Sequence, residues 1–194
     1  MEQAMTPFES ERFLAKKKML ALMGAEFEIF RPDETLAFFV KQKAFKLKEA
    51  ITVYEDRGQT KPVLTIQARS IMDFSAAYDV ATPDGTKLGA LKREGMKSIL
   101  RDKWLIMDTN DAVIGEIEED SMLFAMLRRF LSNLIPQKFD VTMGGNLVAE
   151  FNQHFNPFLA KFDIDFSKDT GKVLDRRLGI AAVVLLLAIE GRQK

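Results

Sequence analysis

Two clusters of basic residues are the part of this sequence best suited to binding chemistry. A surface rich in lysine and arginine can hold a phosphorylated headgroup through charge-assisted hydrogen bonds. Near an anionic membrane each such residue is worth about 1 kcal/mol. The other interpretation is a solvated sheet face whose lysines discourage pairing between sheet edges. The first cluster is Lys41, Lys43, Lys46 and Lys48, and the second is Lys87, Lys92, Arg93, Lys97, Arg101 and Lys103, which outnumber Glu94 and Asp102.

A short acidic segment contains weak candidate ligands for calcium. Calcium needs about six to eight oxygens that converge on one point. Alternate residues of a strand share a face but lie about 7 Å apart, which is too far for one ion unless the strand bends. The segment also lacks the glycine and the bidentate glutamate of an EF-hand loop. We therefore predict no metal site and no cofactor, and keep as weak candidates Asp163, Asp165 and Asp169.

Catalytic residues are hard to assemble from this composition. His154 is the only histidine and there is no cysteine, so the usual nucleophile–base pairs reduce to a serine beside that histidine. Gly144-Gly145 is typical of a hairpin turn and not of a phosphate-binding loop. A histidine at the surface, or one with an ordinary hydrogen-bond partner, is the simpler interpretation. We predict that the protein is not an enzyme.

Charge balance and the amino terminus argue against several functional classes. Lysine and arginine together number 28, as do aspartate and glutamate, so no basic field favours nucleic acid. The absence of cysteine excludes disulfides and thiolate metal sites. The first residues, MEQAMTPFESER, lack the basic and apolar segments of a signal peptide. We expect a cytoplasmic protein, located at the membrane surface when it binds lipid.

The C-terminal stretch Asp175–Glu190 predicts a helix buried on every side. It reads DRRLGIAAVVLLLAIE, and no side chain between Leu178 and Ile189 is charged or forms hydrogen bonds. A helix that is apolar all round must be surrounded by protein or lipid. Those residues span about 18 Å, well short of the hydrocarbon layer of a bilayer. We therefore predict a core helix of a globular fold.

Repeated hairpin signals predict the sheet that surrounds this helix. Turn residues such as Asp84-Gly85 and Gly144-Gly145 separate short runs rich in β-branched and aromatic residues, and about a dozen strands follow from this pattern. A barrel of about eight strands is filled by its own side chains, so enclosing a helix needs more strands. We predict a mainly β fold, a closed antiparallel barrel of about twelve strands around the C-terminal helix. A further helix, capped by Ser121 and ended by Pro136, would cover one opening or side of the sheet.

The first 24 residues predict a separate helix. Thr6-Pro7-Phe8-Glu9 is a capping box with proline at the first helical position, and Gly24 supplies a stop after Met23. We therefore divide the chain into an N-terminal helix, residues 1–24, and a barrel domain, residues 25–194. The helix would pack on the outside of the barrel, lie on an anionic membrane, or dock a protein partner.

Three stretches of the chain resemble the Tubby C-terminal-like superfamily. They are FFVKQKAFKLKEAITVYEDRGQ, YDVATPDGTKLGALKREGMKSILRDKWLIMD and DRRLGIAAVVLLLAIEGRQ. The likeness is closest to the LURP-one-related branch and its bacterial relatives, and next to the phospholipid scramblases. It implies a closed barrel around a central C-terminal helix. It also implies diverging functions: phosphoinositide binding in Tubby proteins, calcium-dependent lipid movement claimed for scramblases, and no settled activity for the LURP-one-related branch. The chain departs from the scramblase pattern in lacking a proline after Phe166.

These observations favour a non-catalytic binding protein that recognises anionic phospholipid headgroups, of phosphoinositide type, at the cytoplasmic membrane surface. One alternative is a structural or partner-binding module that has no lipid activity and uses the N-terminal helix for docking. Another is scramblase-like lipid movement. The predicted headgroup contacts lie at strand ends, where they can converge on one rim: Lys43, Lys46, Lys92, Arg93, Lys97 and Arg101.

Overall fold

The computed structural model describes residues 6–19, 24–42, 50–69, 77–94, 103–119, 137–154 and 160–189. These residues form one closed barrel of twelve antiparallel strands with a single α-helix inside it. The predicted barrel around the C-terminal helix is therefore confirmed. In chain order the elements are β1 (Arg12–Met19), β2 (Ala25–Phe30), β3 (Leu36–Gln42), β4 (Ile51–Tyr54), β5 (Pro62–Ala68), β6 (Ala77–Ala81), β7 (Lys87–Arg93), β8 (Lys103–Met107), β9 (Val113–Glu119), β10 (Lys138–Met143), β11 (Asn146–His154), β12 (Ala160–Asp165) and α1 (Arg176–Ile189).

The strands follow the chain around the barrel, each antiparallel to the next, and β1 closes the ring between β12 and β2. Odd-numbered strands finish at the end of the barrel where α1 finishes. We call this the upper end, and the opposite one the lower end. Tight turns at the lower end include the two predicted hairpins. Gly85, Gly144 and Gly145 have φ angles of 90°, 56° and 84°, a region that glycine reaches without a steric penalty.

Helix α1 fills the interior of the barrel. Each residue from Leu178 to Ala188 lies inside, the most exposed side chain among them being 3% accessible. The side chain of Asp175 caps the helix by accepting a hydrogen bond of 2.9 Å from the backbone N–H of Arg177. Close contact with the wall explains two glycines, since a Cβ on Gly89 would lie 3.2 Å from Leu178, and one on Gly179 would lie 2.7 Å from the ring of Phe166. The predicted core helix is confirmed.

The predicted N-terminal helix is wrong, because Arg12–Met19 is strand β1. The capping-box residues form only one turn, in which the backbone N–H of Glu9 donates to the carbonyl oxygen of Thr6 at 3.1 Å. The chain then extends and pairs along both of its edges, with β12 and with β2. The pairing of β1 with both neighbouring strands, which closes the barrel, outweighs the local preference of the capping box for a helix. Residues 12–19 of the segment proposed as a docking helix are thus part of the barrel wall, while the helix predicted between Ser121 and Pro136 lies outside the described residues.

The lower end of the barrel is covered by the segments on either side of it. Phe8 packs on Phe38, with ring centroids 4.8 Å apart, and the backbone N–H of Phe166 donates to the carbonyl of Glu11. The buried carboxylate of Asp169 accepts hydrogen bonds from the backbone of Val173 and Leu174, which holds the loop leading into α1. Ligand access through this end would require these segments to separate.

Candidate functional site

The upper end of the barrel is where the predicted binding residues are attached. The strand ends that flank both basic clusters lie there: Gln42 and Ile51 for the first cluster, and Arg93 and Lys103 for the second. The six connections at this end contain residues 20–23, 43–49, 70–76, 95–102, 120–136 and 155–159, which are outside the described ranges. Four predicted contacts therefore fall outside those ranges: Lys43, Lys46, Lys97 and Arg101.

The two remaining predicted contacts, Lys92 and Arg93, are consecutive residues at the upper end of β7. Neighbouring side chains of a strand project to opposite faces of the sheet. Arg93 is paired with Trp104, whose side chain is buried inside the barrel, so Arg93 takes the inner face. Lys92 is paired with Ala77 and Leu105 and takes the outer face. Both lie at the predicted end of the barrel, but they do not share one surface.

Other members of the basic clusters are neutralised by acids on the barrel wall. Lys41 lies 3.7 Å from Glu26 of the neighbouring strand. Lys103 lies 2.7 Å from Glu116 and 2.6 Å from Glu118, and these carboxylates raise the pKa of its ammonium group. The cross-strand pairs support the interpretation of a solvated wall for this part of the clusters.

A four-residue network on the outer wall extends this neutralisation. The guanidinium of Arg69 donates to Asp79 at 2.6 Å and to Asp111 at 3.0 Å, while Lys87 donates to Asp111 at 2.8 Å. Hydrogen bonds from Arg69 and then Lys87 lower the pKa of Asp111 to about 2. Lys87 is thus held in the wall, and the turn containing Asp111 is fastened against β5–β7.

Inside the barrel, the upper end contains a buried lysine that the sequence analysis did not single out. The Lys17 side chain is 4% exposed, and its Nζ donates a hydrogen bond of 2.7 Å to the backbone carbonyl of Leu187. The same Nζ lies 5.6 Å from the centroid of the Phe27 ring. Carbonyls in the last turn of a helix have no intrahelical donor, and a cation is favourable there. Lys17 therefore caps α1 from the wall.

Two further buried donors lie on the inner face near the upper end. Gln42 is 6% exposed and Trp104 is 1% exposed, and within the described part of the chain neither Gln42 Nε2 nor Trp104 Nε1 has a hydrogen-bond partner. A buried donor without an acceptor costs about 1–3 kcal/mol. Gln42 and Trp104 lie on nearly opposite sides of the barrel, on β3 and β8. Each is a position where an acceptor from a ligand would be favourable.

The weak calcium candidates do not come together. Asp163 is hydrogen-bonded to His154 at 2.6 Å, and Asp165 faces Arg12 at 3.2 Å. Asp169 is buried at the lower end, where it lies 3.2 Å from Arg176. Among the described residues no group of three or more acidic or histidine side chains is arranged to hold a metal ion. The imidazole of His154 is exposed at the upper end of β11, in contact with a carboxylate.

These features define a class of protein: a closed twelve-stranded antiparallel barrel that encloses an apolar C-terminal helix, as in the Tubby C-terminal-like superfamily. Residues 11–186 match the model of the LURP-one-related family, and the chain belongs to that family. No curated protein and no solved structure matches it. No helix within the described residues has the length and apolar character to cross a membrane.

Proposed function

We propose that this protein is a non-catalytic binding protein that recognises anionic phospholipid headgroups at the cytoplasmic membrane surface through the upper end of its barrel. One observation carries the proposal: the segment that contains Lys43 and Lys46 and the segment that contains Lys97 and Arg101 both leave and rejoin the barrel at that same end. The members of the two basic clusters on the wall, Lys41, Lys87 and Lys103, are engaged by acids. Lys92 and Arg93 lie at that end of β7, and the other predicted contacts belong to the segments that join strands there.

Co-sedimentation with vesicles of graded anionic content tests this proposal. Binding should rise with the anionic fraction and fall as salt increases, because exposed charges are screened within about 10 Å at 0.1 M salt. Replacing Lys43 and Lys97 together by glutamate should weaken binding at least about tenfold, since each basic residue near the surface contributes about 1 kcal/mol.

The matched control reverses two lysines at the lower end, Lys61 and Lys172, which are exposed. It changes the net charge by the same amount but should leave vesicle binding close to the wild-type value. Equal losses in both double variants would contradict recognition by the upper end. Binding that is no stronger with anionic than with neutral lipid would contradict the function itself.

A further inference from the structure

The two segments that cover the lower end of the barrel are attached to it in different ways. The loop of residues 166–175 is fixed by the buried carboxylate of Asp169, which accepts hydrogen bonds of 2.8 Å from Val173 and 3.2 Å from Leu174. Arg176, in the first turn of α1, lies 3.2 Å from the same carboxylate. Because this loop leads directly into the core helix, it is a fixed part of the fold.

The other covering segment is residues 6–10, which we call the strap. Within the described part of the chain, the hydrogen bonds of the strap stay within residues 6–12. The backbone N–H of Glu9 donates to the carbonyl oxygen of Thr6, and the hydroxyl of Ser10 donates to the carbonyl oxygen of Arg12. The strap therefore has its own local structure and takes no part in the strand pairing of the barrel.

The chain is fixed to the barrel immediately after the strap. The carbonyl oxygen of Glu11 accepts a hydrogen bond of 2.8 Å from the backbone N–H of Phe166, and Arg12 begins the pairing of β1 with β12. Movement of the strap about Ser10 and Glu11 leaves every residue pair of β1 with β12 and with β2 in place. Opening of the strap thus breaks no strand hydrogen bond.

Phe8 attaches the strap to the hydrophobic core. Its ring packs on that of Phe38, with centroids 4.8 Å apart and an angle of 40° between the ring planes. Phe8 is partly exposed, whereas Phe38 beneath it is fully buried. Phe38 contacts Phe13 at 5.9 Å, and Phe13 contacts Phe166 at 6.3 Å. Phe8 is therefore the outermost ring of a row that leads from the surface to the loop before α1.

The burial of one ring sets how firmly the strap is closed. Complete burial of a phenylalanine side chain favours the buried form by about 10- to 150-fold. Because the ring of Phe8 is only partly buried, it should favour the closed strap by about three- to tenfold. The open form is then a populated minority, and it uncovers the ring of Phe38.

We propose that the strap is a displaceable cover, and that the surface of Phe38 beneath Phe8 is a binding site for an aromatic side chain of a partner peptide. The present occupant shows what the site accepts, which is a neutral ring carried by a short stretch of chain outside the strands. Packing between two aromatic rings supplies the attraction. The inference stands apart from the proposed function, which concerns the opposite end of the barrel.

The variant Phe8→Ala removes the competing ring. Toluene is the probe for a single ring, and its binding to the full chain is measured by NMR titration. The affinity of the wild type is reduced by the fraction of molecules in which the strap is open, so Phe8→Ala should bind toluene about three- to tenfold more tightly. Apolar cavities left by truncation bind rings of this size. The matched control is Phe30→Ala, which removes a partly exposed ring from the outer face of β2 and should bind like the wild type.

A second probe tests recognition of a peptide side chain. It is a peptide with the sequence of the strap and the following glutamate, TPFESE, compared with TPAESE, which lacks the ring. Phe8→Ala should bind the first peptide more tightly than the wild type does, and should bind it in preference to the second. Its melting temperature should stay close to that of the wild type, because no strand pair is lost. These results would support the inference even where anionic vesicles do not bind.

Three results would overturn the inference. Equal affinity of the wild type, Phe8→Ala and Phe30→Ala for toluene would show that Phe8 covers no binding site. Equal affinity of Phe8→Ala for the two peptides would show that the site does not recognise a side chain on a peptide. A Phe8→Ala protein that fails to fold, or that melts far below the wild type, would make the strap a fixed part of the fold and not a cover.

Discussion

Lys16 and Lys17 are consecutive residues of β1 with different roles. Lys17 is buried and donates to the carbonyl of Leu187, whereas Lys16 is on the outer face, 4.5 Å from the ring centroid of Phe30. We expect Lys17→Met to lower the free energy of unfolding by about 1.5–3 kcal/mol, the range for a hydrogen bond from a charged donor. Urea denaturation measures this loss. Amide exchange should rise first in the last turn of α1.

The control for this prediction is Lys16→Met. A cation above an aromatic ring near the surface contributes about 0.5–1 kcal/mol, and Lys16 is partly exposed, so this variant should lose less stability and leave exchange in α1 unchanged. Equal losses in the two variants would contradict the capping role of Lys17.

Asp111 makes stability depend on pH in the acidic range. Hydrogen bonds from Arg69, and then from Lys87, lower its pKa in the folded protein from the ordinary value of 3.8 to about 2. A carboxyl group whose folded pKa is lowered stabilises the protein above its unfolded pKa, and that stability is lost as pH falls towards the folded pKa. The wild type should therefore exceed Asp111→Asn in unfolding free energy at pH 6. The difference should shrink between about pH 4 and pH 2.

Chemical denaturation of both proteins across this range measures the effect. Because other carboxylates also titrate there, the informative quantity is the difference between the two proteins at each pH. A difference that stays constant down to pH 2 would show that the Asp111 carboxylate does not stabilise the fold through Arg69 and Lys87.

The residues inside the upper end illustrate what sequence can reveal of the site. The basic clusters can be predicted from the sequence because lysine is common on surfaces and several lysines lie close together in the chain. Lys17 and Gln42 are hidden because polar side chains are normally assigned to the outer face. Their positions follow only from register: Lys17 continues the buried alternation of Phe13 and Ala15, and Gln42 continues that of Phe38 and Val40. Recognising β1 as a strand would have indicated Lys17.

The fit between α1 and the wall depends on Gly89 of β7. A Cβ at this position would lie 2.4 Å from the carbonyl oxygen of Met107 and 3.2 Å from Leu178 Cδ1, and the backbone has a φ of 156°. Gly89→Ala must displace either strand β8 or the helix, and should cost about 1–3 kcal/mol in unfolding free energy. Thermal or urea unfolding measures it.

Gly85→Ala is the matched control, because Gly85 also has a positive φ, of 90°, but has no atom within 4 Å of the added Cβ. Its loss reports backbone strain alone, about 1 kcal/mol. If Gly89→Ala were no more costly than Gly85→Ala, close contact of Gly89 with Met107 of β8 and Leu178 of α1 would not be the reason for the glycine.

The elements differ in how fully the sequence determines them. Helix α1 is predictable because no arrangement other than burial suits a helix with no polar face. The hairpins are predictable because their turns require residues such as Asp84-Gly85. Strand β1 is not, because its local capping box is satisfied within one turn, and half of the residue pairs that make it a strand are with β12, more than 140 residues later in the chain. Long-range pairing of this kind leaves little trace in a local pattern.

The whole molecule depends on α1 as its core. Val184 is fully buried, and Val184→Asp would place a carboxylate among the apolar residues of the barrel interior. A buried charge without a partner is among the most destabilising of substitutions, so we expect no soluble folded protein. Expression, sedimentation and circular dichroism measure this outcome. Val173→Asp, at a side chain that is 58% exposed, should remain folded. A soluble and cooperatively folding Val184→Asp would contradict the enclosed helix.

The pairing of β1 with β12 has a consequence for how the protein is made. Strand β1 can be closed into the ring only after β12, the last strand of the barrel, has been synthesised, and α1, which fills the interior, follows later still. During synthesis the inner face of the growing sheet therefore lacks both its final neighbour and its filling. Nascent chains with exposed apolar surface are prone to aggregate. The order of the elements thus leaves the apolar inner face of the barrel uncovered until β12 and α1 have been synthesised.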